Sequence, residues 1–171
     1  SLVRAHIQDI TTFQERHALY LKASYALIKD RTEAELLRTV KGAGVSNTLA
    51  LVTVEDRVGN AARFASGEHM VSFLGLTTSK HISRTSLFQS KHITKQGSPN
   101  GRYAAVNVAQ HLTRWAPRYQ EMYQNIKARK PPRKGHFIAM VAVARDFVSN
   151  VRYDMWRNQR PFFVEVSDYR S

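Results

Sequence analysis

The stretch from Ser79 to Gly97 reads SKHISRTSLFQSKHITKQG. It holds six hydroxyl side chains, four Lys or Arg, two His and no acid. A serine in such surroundings can attack a phosphodiester and hold the strand as a phosphoseryl ester. Neighbouring cations must then stabilise the charge of the transition state. Ser83, which Arg84 follows, and Ser86 meet that requirement of composition. The plainer role for a serine in a basic loop is a hydrogen bond to a phosphate oxygen. Spacing alone leaves both roles open. Tyr103, Tyr119, Tyr123 and Tyr153 are alternative nucleophiles in principle, but their core-like spacing on expected helices assigns them to packing.

Metal-dependent strand cleavage needs two or more carboxylates converging on divalent ions. The acids of this chain are scattered. Asp9, Glu15 and Asp30 belong to the first helical segment, Glu33 and Glu35 to a helix start, Glu55 and Asp56 to a helix end. Asp146 and Asp154 fall on the last helix, as surface or ion-pair residues. No self-contained metal site is expected. The seven His show no HxxxH or HExxH spacing. His81 and His92 sit in equivalent places of SKHIS and SKHIT, where phosphate or solvent contact is a better account than a Zn pair. No phosphate-binding P-loop or dinucleotide motif is present. The absence of Cys removes disulfides, thiolate metal sites and Cys nucleophiles together, and a cytoplasmic setting fits.

Charge narrows the partner. The chain has 26 Lys and Arg against 13 Asp and Glu, with a pI near 10.4. Between Glu68 and Glu121 there is no acid, while Lys80, Arg84, Lys91, Lys95, Arg102, Arg114 and Arg118 fall inside. An uncompensated basic segment within a folded chain points to phosphate contacts, hence to nucleic acid. The alternative is an interaction domain whose charge is incidental. No apolar run is long enough to span a bilayer, so no membrane partner is expected.

These residues need elements to hold them. At 171 residues, 43% hydrophobic, the chain can build one domain with an appended helix. Strand signals are sparse, and the expected fold is all-α. Residues 1–30 read as one long helix. Its apolar stripe runs through Val3, Ile7, Ile10, His17, Leu21, Ser24 and Ile28 at 3/4 spacing. Such a helix either packs on its own domain or pairs with a partner helix, and the second option makes it a coiled-coil dimerisation region. Residues 31–171 form the helical domain. Thr32 with Glu35 has capping-box spacing and predicts a short helix to Val40.

VKGAGVSNTLALV follows, with Ser46 available to cap the next helix. Its pattern is helix-hairpin-helix-like: Gly42 and Gly44 permit a tight turn, and the second helix's first amides can bind a phosphate. Lys41, Gly42, Gly44 and Ser46 are therefore candidate DNA contacts. Lys80, Arg84, Lys91, Thr94, Lys95 and Arg102 join them from the basic segment. One or two short helices follow Asn60, then Ser98-Pro99 predicts a helix start with Ser at N-cap and Pro at N1. That helix should break at Pro117. KPPRKG reads as a linker or turn before a strongly apolar last helix ending at RPFF.

Several segments between Leu37 and Phe162 together resemble the C-terminal domain of the Piv/MooV-type insertion-sequence transposases. These pair a RuvC-like DEDD domain with a helical domain. The segments are VKGAGVSNTLALV, ARFASGEHMVSFLGLTTS, HITKQGSPNGR, PRYQEMYQNIKAR and VAVARDFVSNVRYDMWRNQRPF. Each is short; their order and spacing make the match specific. The chain departs from the pattern at Arg84, usually Gly, at Gly101, usually Leu, at Asp146, usually Lys, and in a loop about one residue longer between Gly75 and Ile93.

The resemblance implies that Ser83 attacks DNA, with Ser86 as the fallback. It implies that Mg²⁺ and its carboxylates come from the DEDD domain, and that this chain holds no cofactor and is inactive alone. The 171 residues are then expected to be the C-terminal part of a longer protein. DNA, a structured guide RNA and a second copy bound through the first helix are the implied partners, in a prokaryotic cytoplasm at the nucleoid. The competing expectation is a non-catalytic helix-hairpin-helix nucleic-acid-binding module, which Arg84 favours.

Overall fold

A computed structural model describes residues 2–59, 61–82 and 87–162. The order is α1 (Leu2–Ala26), α2 (Thr32–Arg38), α3 (Val45–Asp56), a 3₁₀ turn (Ala61–Arg63), α4 (Gly67–Phe73), β1 (Thr78–Ile82), β2 (Leu87–Ile93), α5 (Pro99–Trp115), α6 (Pro117–Ala128), α7 (Pro132–Asp146), a π-helical turn (Phe147–Arg152) and α8 (Tyr153–Asn158). The fold is all-α with a long N-terminal helix, as expected. It adds one antiparallel strand pair in the stretch that carried no helical stripe.

Helix α5 lies at the centre, against α3, α6 and α7. Its apolar face repeats at helical spacing through Ala104, Ala105, Val108, Ala109 and Leu112, all buried. Three of the five are Ala, which lets neighbouring backbones approach. Ser98 accepts a hydrogen bond from the Gly101 N–H at 3.2 Å, and Pro99 takes the first helical position, as predicted. At the other end Ala116 is extended (φ −98°, ψ 111°), the conformation that Pro117 imposes on its predecessor. A Cβ at Gly101 would meet Leu74 Cδ2 at 2.7 Å and Val54 Cγ2 at 3.1 Å. Close packing of α5 on its neighbours therefore accounts for Gly where the resembling pattern has Leu.

The last helical segment shares the core through Val143, Ala144, Phe147, Val148, Val151 and Met155. It differs from the expectation in two ways. Pro132 is the first residue of α7, so the helix begins inside KPPRKG rather than after it. The segment also widens into the π-helical turn between α7 and α8, and this places Arg152 fully inside.

Two helix starts also differ. Arg31, not Thr32, is the N-cap of α2, and no side chain caps it. Its guanidinium is drawn instead to Asp56 at the end of α3 and to Glu33 at 3.6 Å. Gly44, not Ser46, is the N-cap of α3, its carbonyl accepting from the Thr48 N–H at 3.0 Å.

Helix α1 has no buried residue among the described ones. Only its last turns touch the domain, where Leu21, Ser24 and Tyr25 are half-buried and the Arg38 guanidinium stands 5.4 Å from the Tyr25 ring centre. The stripe residues Val3, Ile7 and Ile10 are exposed, so the N-terminal part of this helix does not pack on its own domain. Among the described residues no helix is long and apolar enough to cross a membrane.

Candidate nucleic-acid interface

The turn between α2 and α3 is built around Gly42. Its φ of +105° lies in the region that L side chains avoid, and a Cβ there would overlap the side chain of His111 on α5. The turn is braced from both sides. Trp115 Nε1 donates to the Lys41 carbonyl at 2.7 Å, and Lys41 Nζ stands 5.8 Å from the Trp115 ring centre. Asn47 Nδ2 lies 3.4 Å from the Gly42 carbonyl, and Asn107 Nδ2 lies 3.5 Å from Asn47 Oδ1. Thr48 Oγ1, buried, donates to the Ala43 carbonyl at 3.0 Å.

The result is an open groove of about 630 Å³ bordered by Arg38, Lys41, Gly42, Gly44, Ser46 and His111. All four residues predicted here thus share one surface. Ser46 lies in the first turn of α3, whose amides have no intrahelical acceptor. With Lys41 and Arg38 exposed beside it, this end of α3 attracts an anion twice over, by dipole and by side-chain charge. Arg38 and His111 were not singled out from sequence. His111 reaches the groove only because α3 and α5 run antiparallel, and no local signal reveals that.

The second group is the strand hairpin. β1 and β2 pair antiparallel with Thr78 opposite Ile93, Lys80 opposite Gln89 and His81 opposite Phe88, with an irregularity between Thr78 and Lys80. The two SKHI copies therefore lie on paired strands. Lys80 sits on β1 and Lys91 on β2. The stem is fixed at its base. Gly75 (φ +69°) and Gly97 (φ +132°) cross so closely that a Cβ on Gly97 would overlap the Phe73 carbonyl oxygen. The Thr94 N–H donates to the Thr77 carbonyl at 2.8 Å, and the Lys95 N–H to the Gly75 carbonyl at 3.1 Å.

Arg102 Nη1 donates to the carbonyls of Leu74 and Lys95, each at 3.2 Å, and so clamps the hairpin base to α5. Lys95 is exposed with a left-handed backbone (φ 55°). Ser83, Arg84 and Ser86 lie outside the described residues.

These groups do not merge into one patch. Gly101, near the hairpin base, and His111, at the α2–α3 turn, are ten residues apart on α5. That sets a separation of about 15 Å along the helix axis. The α2–α3 turn and the hairpin base thus stand toward opposite ends of one helix.

The remaining candidates are placed in the same way. Arg118 is held by Asp146, with Nη2 at 3.1 and 3.0 Å from the two carboxylate oxygens. Tyr119 is buried, and Tyr153 Oη donates to the Phe64 carbonyl at 2.9 Å. Tyr123 Oη is 2.9 Å from His136 Nδ1. Tyr103 departs from the packing expectation: it is 69% exposed, beside the first turn of α5. Among the described residues no three His, Asp or Glu side chains come together as a metal site would require.

Residues 34–124 match the family model described as Transposase IS116/IS110/IS902 family, just over half of the chain. No curated protein matches it.

Proposed function

Because the chain belongs to the IS116/IS110/IS902 transposase family, we propose that it is the DNA-binding, serine-bearing domain of a transposase that cuts and exchanges strands. The family match carries this reading, and the acid-free basic segment from residues 69 to 120 agrees with it. One DNA phosphate sits at the first turn of α3 beside Lys41. The backbone of the same molecule continues to the hairpin, with Lys80, Lys91, Thr94 and Lys95 as its candidate contacts. Arg102 positions the hairpin base.

Ser83, with Ser86 as fallback, is the nucleophile in this reading. Its Oγ forms a bond to phosphorus, loses its proton, and one strand terminus leaves as a free hydroxyl. The phosphoseryl ester conserves the energy of the phosphodiester, so a second strand's hydroxyl can reverse the step and complete the exchange. Mg²⁺ held by carboxylates of a separate DEDD domain would offset the phosphoryl charge. In this reading the domain alone binds DNA and depends on the separate domain's carboxylates for cutting. A structured guide RNA and a second copy docked along α1 complete the proposed assembly.

A second reading has one specific observation in its favour. Arg84 stands where the resembling pattern has Gly, which suits a non-catalytic helix-hairpin-helix module. Both readings require DNA binding, and salt dependence tests it. Each phosphate contact adds about 0.9 to the negative slope of log affinity against log salt. We expect a slope of several units on duplex DNA. A slope near zero overturns both readings and leaves a domain whose charge is incidental.

A further inference from the structure

The outward face of α7 has no part in the site above. It carries Arg133, Phe137 and Val141 at successive i, i+4 positions, with Lys134 and Ile138 alongside. Phe137 is 69% exposed and Ile138 36%, while Ala139, Met140, Val143 and Ala144 of the same helix are buried. Between this face and the hairpin stem runs a groove of about 250 Å³, lined by Ile93, Phe137, Ile138, Val141, Ala142 and Arg145. Thr78 lines it too; the rest of the lining is apolar apart from one cation, Arg145. Arg145 closes one end. Its Nη2 is 3.4 Å from a carboxylate oxygen of Glu68, itself largely exposed, and its Nε is buried without a hydrogen-bond partner. That guanidinium is only weakly committed.

Arg133 and Lys134 stand about one helical turn before Phe137 on α7, and the α6–α7 turn precedes them. Lys127, Arg129, Lys130, Arg133 and Lys134 are all exposed there. No acid lies between Glu121 and Asp146.

A mostly apolar slot with an exposed ring, an arginine in its lining and exposed cations one helical turn away matches one chemistry well: a nucleobase flanked by phosphates. A paired base cannot use it, because stacking neighbours in a duplex already cover both its faces. The groove's second wall is the stem of the hairpin that carries Ser83. We propose that the α7 groove holds an unpaired stretch of a DNA strand, one base against Phe137 and the flanking phosphates on Arg133, Lys134 and Arg145. The polymer rests on the reading under Proposed function; the unpaired state rests on the groove itself. The groove then keeps a separated strand beside the hairpin while its partner strand is handled elsewhere.

The test is equilibrium binding of the 171-residue chain to a labelled single-stranded DNA, the matching duplex and a single-stranded RNA of the same sequence. Loss of one stacking contact should weaken single-strand DNA binding about tenfold in Phe137→Ala and in Phe137→Leu. Duplex binding should stay within about twofold, since duplex does not use the ring. Phe137→Trp should retain wild-type affinity. Because Phe137 is exposed, these variants keep the fold, which far-UV circular dichroism checks. Arg133→Ala with Lys134→Ala should weaken the single-strand complex and flatten its salt slope. Equal losses on duplex and single strand, or no loss on either, overturn the groove while leaving the DNA reading intact. A loss on RNA alone overturns DNA as the occupant. Failure of all DNA forms to bind overturns both.

Discussion

Arg152, in the π-helical turn, and Glu55, in the last turn of α3, form a fully buried pair across 97 residues of sequence. Arg152 Nε donates to Glu55 Oε1 at 2.7 Å, and Arg152 Nη2 bonds the second carboxylate oxygen. The bidentate fork satisfies both carboxylate oxygens but leaves Arg152 Nη1 without a partner. Burial raises the Glu55 carboxyl above its ordinary range, against the opposing pull of the Arg152 charge and its hydrogen bonds. The pair fixes where α3 ends relative to the C-terminal helices, and α3 carries the α2–α3 turn at its other end.

Breaking this pair from one side should be costly. Arg152→Met leaves an uncompensated buried carboxylate, and Glu55→Gln leaves a buried guanidinium with a neutral neighbour. Each should lose about 3–5 kcal/mol in urea denaturation. The double variant Glu55→Met with Arg152→Leu should recover most of that loss, because it removes both charges. A double variant as unstable as the sum of the singles would show that the pair does not act as one unit.

Gly42 should tolerate no side chain. Gly42→Ala forces a Cβ into both an unfavourable φ and the His111 side chain. The backbone conformation alone should cost about 1–3 kcal/mol, read as a lowered thermal midpoint. Affinity for DNA should fall with it, since the same turn presents Lys41. A variant with unchanged midpoint and affinity would mean that the turn relaxes without cost.

Lys41 should act as a phosphate contact rather than a reader of sequence. Lys41→Ala should weaken duplex binding equally across unrelated sequences and reduce the salt slope by about 0.9. Arg102→Ala should behave differently. It removes the hydrogen bonds to Leu74 and Lys95, so thermal stability falls along with affinity. A Lys41→Ala variant with an unchanged slope would remove this residue from the interface.

Helix α1 should set the oligomeric state without supporting the domain. Ile7 and Ile10 are each 58% exposed. Ile7→Glu with Ile10→Glu should yield a monomer by sedimentation. Thermal stability should change by no more than about 0.5 kcal/mol, as for other exposed sites. A variant that still self-associates would place the contact elsewhere.

Features with local causes were legible in the sequence. Ser98-Pro99 starts α5 and Pro117 ends it because capping and proline geometry act over a few residues. The apolar stripe of α1 was legible as a helix, and the fold leaves Val3, Ile7 and Ile10 exposed while covering Leu21 in part and Ile28 almost fully. The misplaced caps had distant causes: Arg31 is drawn to Asp56 at the far end of α3, and the α2–α3 turn meets His111 through tertiary packing. The strand pair was missed because SKHI and LFQSKHI show neither clear alternation nor a two-residue turn signal. Of the candidate site, the fold unites Lys41, Gly42, Gly44 and Ser46 and assigns Arg102 to the hairpin base. The α7 groove was not legible because its second wall, at Thr78 and Ile93, comes from a hairpin distant in sequence.

The central claim is covalent attack by Ser83, and trapping the protein–DNA ester tests it most directly. A protein carrying both this domain and the carboxylate-bearing domain would be incubated with Mg²⁺ and a nicked suicide substrate, then denatured and digested for mass spectrometry. We predict a denaturation-resistant adduct on the peptide containing Ser83. The adduct should be absent in Ser83→Ala, which still binds DNA, and present in Ser86→Ala. An adduct that persists in Ser83→Ala, or complete strand exchange by that variant, would contradict the account.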